Sequence, residues 1–241
     1  MKIKGARLKM KIGIMQPYFF PYIGYWQLIN AVDKYVIYDD VNFIKGGWIN
    51  RNNMLCNGAI FMIHLRTHSA SSNQHINEIK VVDDRLYNNK LLRIIKNSYS
   101  RAPYFSEVYP IMERIINQGD KNLAKYLEYQ IRQVCEYLSI QTEIIVSSKI
   151  EKNNELRGQD KVIEIVKKNN GDQYINAIGG QELYSYEDFV AQGIVLNFLK
   201  TAEIQYKQFK NNFIPNLSII DVMMFNSKED IRKLLLECEL I

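Results

Sequence analysis

MQPYFFPYIGYWQLINAVDKYVIYDDVNFIKGGWINRNN, residues Met15–Asn53, decides the fold. Before it, Lys11 to Met15 is a short apolar run that reads as a buried strand. Pro17 and Pro21 then remove two backbone donors and keep a helix from starting before Gly24. Tyr25 to Ala31 continues as a helix, and Lys34 to Tyr38 alternates β-branched and aromatic residues as a second strand ending in Asp39-Asp40. Strand, turn, helix and strand within about 40 residues make one βαβ unit with a site at its strand ends.

Outward from this unit the pattern repeats. Ile60 to Leu65 and Ile79 to Val82 are strand candidates, and Leu86 to Tyr99, Tyr109 to Asn117 and Asn122 to Leu138 have the three- and four-residue apolar spacing of helices. Thr142 to Ser147, Gln173 to Ile178, Ile194 to Phe198 and Ile204 to Tyr206 read as strands. Gln159 to Asn169, Tyr186 to Gln192, Ser218 to Phe225 and Lys228 to Leu236 read as helices. The alternation predicts a single α/β domain over 10–241, with a mainly parallel sheet flanked by helices (Rossmann-like) and a mostly helical insertion at about 85–140. Residues 1–9 are expected to be a basic extension.

The net charge of +5 resides in that extension: Lys2, Lys4, Arg7, Lys9 and Lys11 carry it, so residues 12–241 are formally neutral. A protein that binds a polyphosphate backbone concentrates cations on its folded face, so a broad nucleic-acid role is not expected. No stretch approaches the roughly 18 apolar residues of a membrane span, and the apolar run after the leader is too short for a secretory signal. The expected location is the cytoplasm. Cys56, Cys135 and Cys238 have no paired spacing, and His64 and His68 fall on a strand and a loop, so no metal site is expected.

Ligands of open parallel sheets sit beyond the carboxyl ends of the strands. In the first turn, Gln16, Tyr18, Tyr22, Gly24 and Tyr25 are binding candidates: Gly24 permits close backbone approach, the helix start favours phosphate, and tyrosines suit a sugar or base ring. Phe19 and Phe20 read as core. Asp39 and Asp40 alternate in direction, so one carboxylate faces the crevice as general base, Mg²⁺ ligand or hydroxyl acceptor. In the next cluster, Lys45 and Trp48 flank a Gly46-Gly47 bend, Arg51 can clamp a diphosphate, and Asn50 and Asn52 can read hydroxyls. The plain alternative is a buried Arg51–Asp40 pair. Gly179, Gly180 and Tyr184 repeat the strand-to-glycine pattern, whereas Ser218 or Asn216 reads as a helix cap. The Pro21-x-x-Gly24-Tyr25 turn also resembles the His-x-Gly-His turn of nucleotidyltransferases, with Tyr22 and Tyr25 where the histidines stand.

Gln16-Pro17-Tyr18-Phe19-Phe20-Pro21-Tyr22-Ile23-Gly24-Tyr25, Asp39-Asp40-Val41 and Trp48-Ile49-Asn50-Arg51-Asn52 resemble the WbqC-like family. So do Ala102-Pro103-Tyr104-Phe105, Ile178-Gly179-Gly180 and Leu217-Ser218-Ile219-Ile220-Asp221-Val222, and the likeness runs from about residue 11 to 226. The resemblance implies a bacterial protein of O-antigen and surface-polysaccharide biosynthesis that attaches glycine or another small acyl group to a nucleotide-linked amino sugar. Read from the residues themselves and not from the resemblance, Asp39, Asp40 and Arg51 are the catalytic candidates. The partners are the nucleotide sugar and an acyl or aminoacyl donor, with aminoacyl-tRNA, a carrier-bound group and an acyl-adenylate made from ATP with Mg²⁺ all open. The alternatives are a non-catalytic nucleotide-sugar or glycan-binding protein and a nucleotidyltransferase-like enzyme.

Overall fold

A computed structural model describes residues 9–210 and 212–241. Apart from Lys9, the basic extension lies outside the described residues. The strands are β1 (Lys11–Met15), β2 (Lys34–Ile37), β3 (Arg51–Cys56), β4 (Ala59–His64), β5 (Glu143–Val146), β6 (Gln173–Ala177), β7 (Val195–Thr201) and β8 (Cys238–Leu240). The helices are α1 (Ile23–Ala31), α2 (Arg85–Tyr99), α3 (Phe105–Ile116), α4 (Leu123–Leu138), α5 (Gly158–Lys168), α6 (Tyr186–Ala191), α7 (Ile219–Phe225) and α8 (Lys228–Leu234).

Six strands form one sheet in the order β5-β2-β1-β6-β7-β8, parallel except for β8, which runs against β7. Counted along the chain within this sheet, the order is 3-2-1-4-5-6, that of the doubly wound dinucleotide-binding fold. This confirms the expected mainly parallel α/β architecture.

The side-chain period of two assigns the faces. Ile12, Ile14, Val36, Tyr174, Leu196 and Phe198 pack with Val162, Ile165 and Val166 of α5 and Phe189 of α6. Tyr35, Ile37, Ile175 and Leu199 point the other way, into the larger core shared with α1, α4, α7 and α8. Both faces are covered, which is why the central strands read as nearly continuous apolar runs. On the larger side Gly13 leaves room for neighbours: a Cβ there would meet Tyr35 and Val32 at 3.3 Å.

Several expectations need correction. Ile79 to Val82 is not a strand; it makes only the isolated bridges Thr67–Val81 and Lys80–Asn122. Ile204 to Tyr206 is irregular, although Ile204 is buried. Arg51–Cys56 is a strand, paired antiparallel with β4 in a separate hairpin that turns at Asn57-Gly58. Both turn residues have positive φ, as a two-residue hairpin loop requires. The third helix starts at Phe105 rather than Tyr109, with Pro110 inside it.

Candidate functional site

Because β1, β2, β5, β6 and β7 are parallel, their carboxyl ends lie along one edge of the sheet. The strand order reverses between β1 and β6, and the crevice of such a fold opens there. The loop leaving β1 and the start of α1 stand on one side of it. The 3₁₀ turn Ile178–Leu183, which leaves β6, stands on the other.

The turn after β1 is built by groups from distant parts of the chain. Phe20 has φ 44°, unusual for a bulky residue. Its N–H donates to Gln130 Oε1 at 3.0 Å, while Gln130 Nε2 donates to the Tyr18 carbonyl at 3.1 Å. Asn52 Nδ2 donates to the Phe19 carbonyl and Ser218 Oγ to the Phe20 carbonyl. The turn is thus held from α4, β3 and the start of α7. Phe19 and Phe20 are fully buried, as expected for core residues. Gln130 is the residue that sequence reasoning missed. Its one signal is a polar side chain on the apolar stripe of α4, among Leu127, Ile131 and Val134.

Following this turn, α1 starts without a side-chain cap, and no acidic residue lies in its first turn. The amides of Ile23 and Gly24 have no acceptor among the described residues. A cavity of about 530 Å³ lies beside them, lined by Tyr22, Ile178, Lys200, Thr201, Tyr206 and Asn216 among others. Free amides and the positive end of the helix dipole suit an anion at this place. Gly24 has a different role from the one expected of it. A Cβ at this position would sit 2.3 Å from the Tyr22 hydroxyl and 2.6 Å from Thr201 Oγ1, so the space its missing side chain leaves is filled by the protein.

The two aspartates after β2 have unlike surroundings. Asp39 is buried and accepts from the Ser148 N–H at 2.9 Å and from Ser148 Oγ at 2.6 Å. Burial raises its pKa, and the Ser148 hydrogen bonds offset only part of the rise. Asp40 pairs with Lys152 at 2.8 Å and Lys161 at 3.1 Å, whose side chains are 1% and 4% exposed. Burial by itself would raise its pKa too. The ammonium groups of Lys152 and Lys161 reverse this and hold it below the ordinary carboxylate value. With two ammonium groups on its carboxylate, Asp40 is a structural counter-ion, which corrects the expectation of a base there. Neither lysine carries a sequence signal as a site residue.

Arg51 meets neither aspartate, so the alternative of a buried Arg51–Asp40 pair is not realised. Its Nε donates to the Gly47 carbonyl at 3.0 Å and its Nη2 to the Gly46 carbonyl, and the guanidinium carbon lies 5.8 Å from the Trp48 ring. The guanidinium braces the 42–50 loop, on which Lys45 and Trp48 remain exposed. Asn50 and Asn52 are also spent on backbone, at the Leu65 and Phe19 carbonyls. The guanidinium is therefore engaged by its own loop and by neither aspartate.

The remaining candidates divide between packing and the crevice. Tyr25 is buried and donates to the Gln16 carbonyl at 3.1 Å, with its ring 5.6 Å from Tyr18 and from Tyr35. Gln16 Nε2 reaches the Asn42 carbonyl at 3.5 Å. Tyr184 packs on Phe189 and Phe198, and its hydroxyl bonds Tyr174 and Asn176. It too serves the core. Gly180 faces Asn176 Nδ2, only 2.8 Å from the place of a Cβ, while Gly179 has open space beside it. Ser218 caps Ile220 as expected. Of the candidates, Tyr22 lines the cavity beside the first amides of α1, and Gly179 follows Ile178, which lines it too; Tyr18 packs against the larger core.

The sequence matches the WbqC-like protein family over residues 16–233. It is also 25% identical over 231 residues to the uncharacterized protein Rv1507c of Mycobacterium tuberculosis, with 90% of this chain and 93% of that protein aligned. No solved structure matches significantly. The chain belongs to the WbqC-like protein family.

Proposed function

We propose that the protein is a transferase of bacterial surface-polysaccharide (O-antigen) biosynthesis, forming an amide between a glycyl or other small acyl group and the amine of a nucleotide-linked amino sugar. One observation carries this reading: the uncapped start of α1 lies at the reversal of strand order, beside a cavity with tyrosine, threonine, lysine, asparagine and one carboxylate, Glu203, in its walls. The diphosphate sits on the Ile23 and Gly24 amides, with Thr201 beside it and Lys200, which pairs with Glu239 at 3.2 Å, turning to it on binding. Tyr22 and Tyr206 present rings to the base.

The sugar then extends along the strand ends toward Asp39. Two strand spacings separate β2 from β6, roughly 10 Å, which the sugar end of such a ligand spans. The amine attacks the acyl carbonyl, a C–N bond forms, the donor's leaving group departs, and the amine proton passes to Asp39. Its raised pKa suits this transfer. A carrier-bound acyl group, an aminoacyl-tRNA or an adenylate made from ATP with Mg²⁺ can each supply the activated carbonyl.

Calorimetric titration with uridine- and thymidine-linked amino sugars, followed by product mass with glycine in the presence and absence of ATP, tests the reading. Asp39→Asn should lower turnover by roughly 10²-fold or more with little change in sugar affinity, the effect expected of a lost general base. Full turnover of that variant removes the base assignment. Tight sugar binding with no product from any of the three donors identifies a binding protein of the same pathway instead.

A further inference from the structure

A second cavity, of about 680 Å³, opens between the tip of the β3–β4 hairpin, the end of α2 and the segment after Tyr206. Arg101, Lys207 and Lys210 line it and no carboxylate does. Among the described residues none of these three cations has an acidic partner within ion-pair distance, as holds for most lysines and arginines of the chain; what sets them apart is that they face one hollow lined by no carboxylate. Asn57 and Asn97 add amide groups, and Ser98 Oγ, also at the lining, is buried without a hydrogen-bond partner. Three uncompensated cations around one hollow raise the local concentration of anions.

The wall has an aromatic side as well. Phe209 and Phe225 both line the cavity, with ring centroids 4.7 Å apart in an edge-to-face pair. Phe209 has φ 49°, a left-handed conformation that costs a bulky residue energy and is held by its neighbours. The holding group is Gln208, fully buried, which donates to Asp221 Oδ2 and the Ile214 carbonyl and accepts from the Ile214 N–H. One anchored segment therefore turns Tyr206 to the first cavity and Lys207, Phe209 and Lys210 to the second.

We propose, independently of the transferase reading, that this cavity is a second ligand site, distinct from the crevice at α1, and that it takes a nucleoside phosphate: phosphates on the three cations, the base against the phenylalanine pair. Size alone permits many ligands, but cations without acids select phosphate, and the phenylalanine pair selects a ring attached to it.

ATP, inorganic pyrophosphate and adenosine are the probes, titrated into the full chain at 50 and 200 mM salt. ATP should bind best and lose affinity with salt, pyrophosphate should bind more weakly, and adenosine weakest. The Arg101→Ala/Lys207→Ala double variant should weaken ATP by roughly 30-fold or more, the scale of two lost charge contacts, with an unchanged melting temperature. Phe209→Ala should weaken ATP and leave pyrophosphate alone. ATP affinity unchanged in the double variant, adenosine binding as well as ATP, or no ATP binding at millimolar concentration overturns the proposal. If the double variant loses nucleotide-sugar binding and Tyr22→Ala keeps it, the second site stands and the sugar assignment to the first cavity falls.

Discussion

Asp40 and Asp221 are both buried carboxylates, compensated in opposite ways, with Asp40 Oδ1 left without a hydrogen-bond partner. Asp40, at the end of β2, is neutralised by two buried ammonium groups. Asp221, on α7, is fully buried and has only neutral partners. It accepts from Tyr99 at 2.8 Å, Tyr206 at 2.7 Å and Gln208 Nε2 at 2.7 Å. Charge compensation joins the β2 end to the segment after β5 and to α5. Neutral donors tie α2, α7 and the 202–217 segment together between the two cavities. The pKa values diverge accordingly: cations hold Asp40 low, whereas burial drives Asp221 up against the opposing hydrogen bonds.

The same substitution at both places separates the two modes. Asp40→Asn keeps the shape but leaves Lys152 and Lys161 buried without a counter-charge. It should cost about 3–5 kcal/mol, the penalty for breaking a buried ion pair from one side. At this chain length that lowers the melting temperature by about 10 °C. Asp221→Asn removes a costly buried charge and sacrifices one hydrogen bond, because the new amide cannot accept from Tyr99. The expected loss is about 1–2 kcal/mol. Equal losses in thermal melts of the two variants would erase the distinction between ionic and neutral compensation.

A smaller effect lies in the pH dependence, and its sign differs at the two sites. Asp40 has a lowered folded pKa, so its contribution is present above the ordinary value of 3.8 and is lost as pH falls through the lowered one. Asp221 has a raised folded pKa. Its contribution is complete below the ordinary value and disappears as pH rises through the raised one. Relative to the wild type, Asp221→Asn should therefore gain stability from weakly acidic to neutral pH. Denaturant midpoints measured across that window should converge as pH rises. A constant gap would mean that Asp221 does not titrate there.

The same contrast explains how much of the molecule is legible in its sequence. The parallel strands of the main sheet are short apolar runs, most of them bounded by glycine, proline or paired acids, so β1, β2, β5, β6 and β7 can be placed from the residues alone. The carboxyl ends, and hence the crevice, follow from them. Partners more than a hundred residues away cannot be read. Gln130 to the turn at Phe20, Lys161 to Asp40 and Tyr99 to Asp221 are pairings that no local period encodes. Arg51 misleads for the opposite reason: its best partners are carbonyls four and five residues behind it, and a run of residue types displays side chains but not backbone oxygens. β8 escapes notice because three residues at an edge, two of them exposed, carry no alternation strong enough to register.

The gentlest test concerns Gly24, at the crevice rather than in either buried cluster. Alanine there meets the Tyr22 hydroxyl and Thr201 Oγ1, but both are side-chain ends, and Tyr22 is 38% exposed with room to swing outward. Helix interiors favour alanine over glycine by roughly 0.5–1 kcal/mol, which offsets the displacement. Gly24→Ala should thus melt within about 2 °C of the wild type. Its cavity wall would nevertheless be rearranged, since Tyr22 can no longer lie over the helix start. If the crevice at α1 binds the nucleotide sugar, affinity should fall by about three- to tenfold, while the fold and the ATP affinity of the second cavity stay as they were. Unchanged sugar affinity in this variant would show that the Tyr22 ring takes no part in binding, even though it lies over a helix start that no side chain caps.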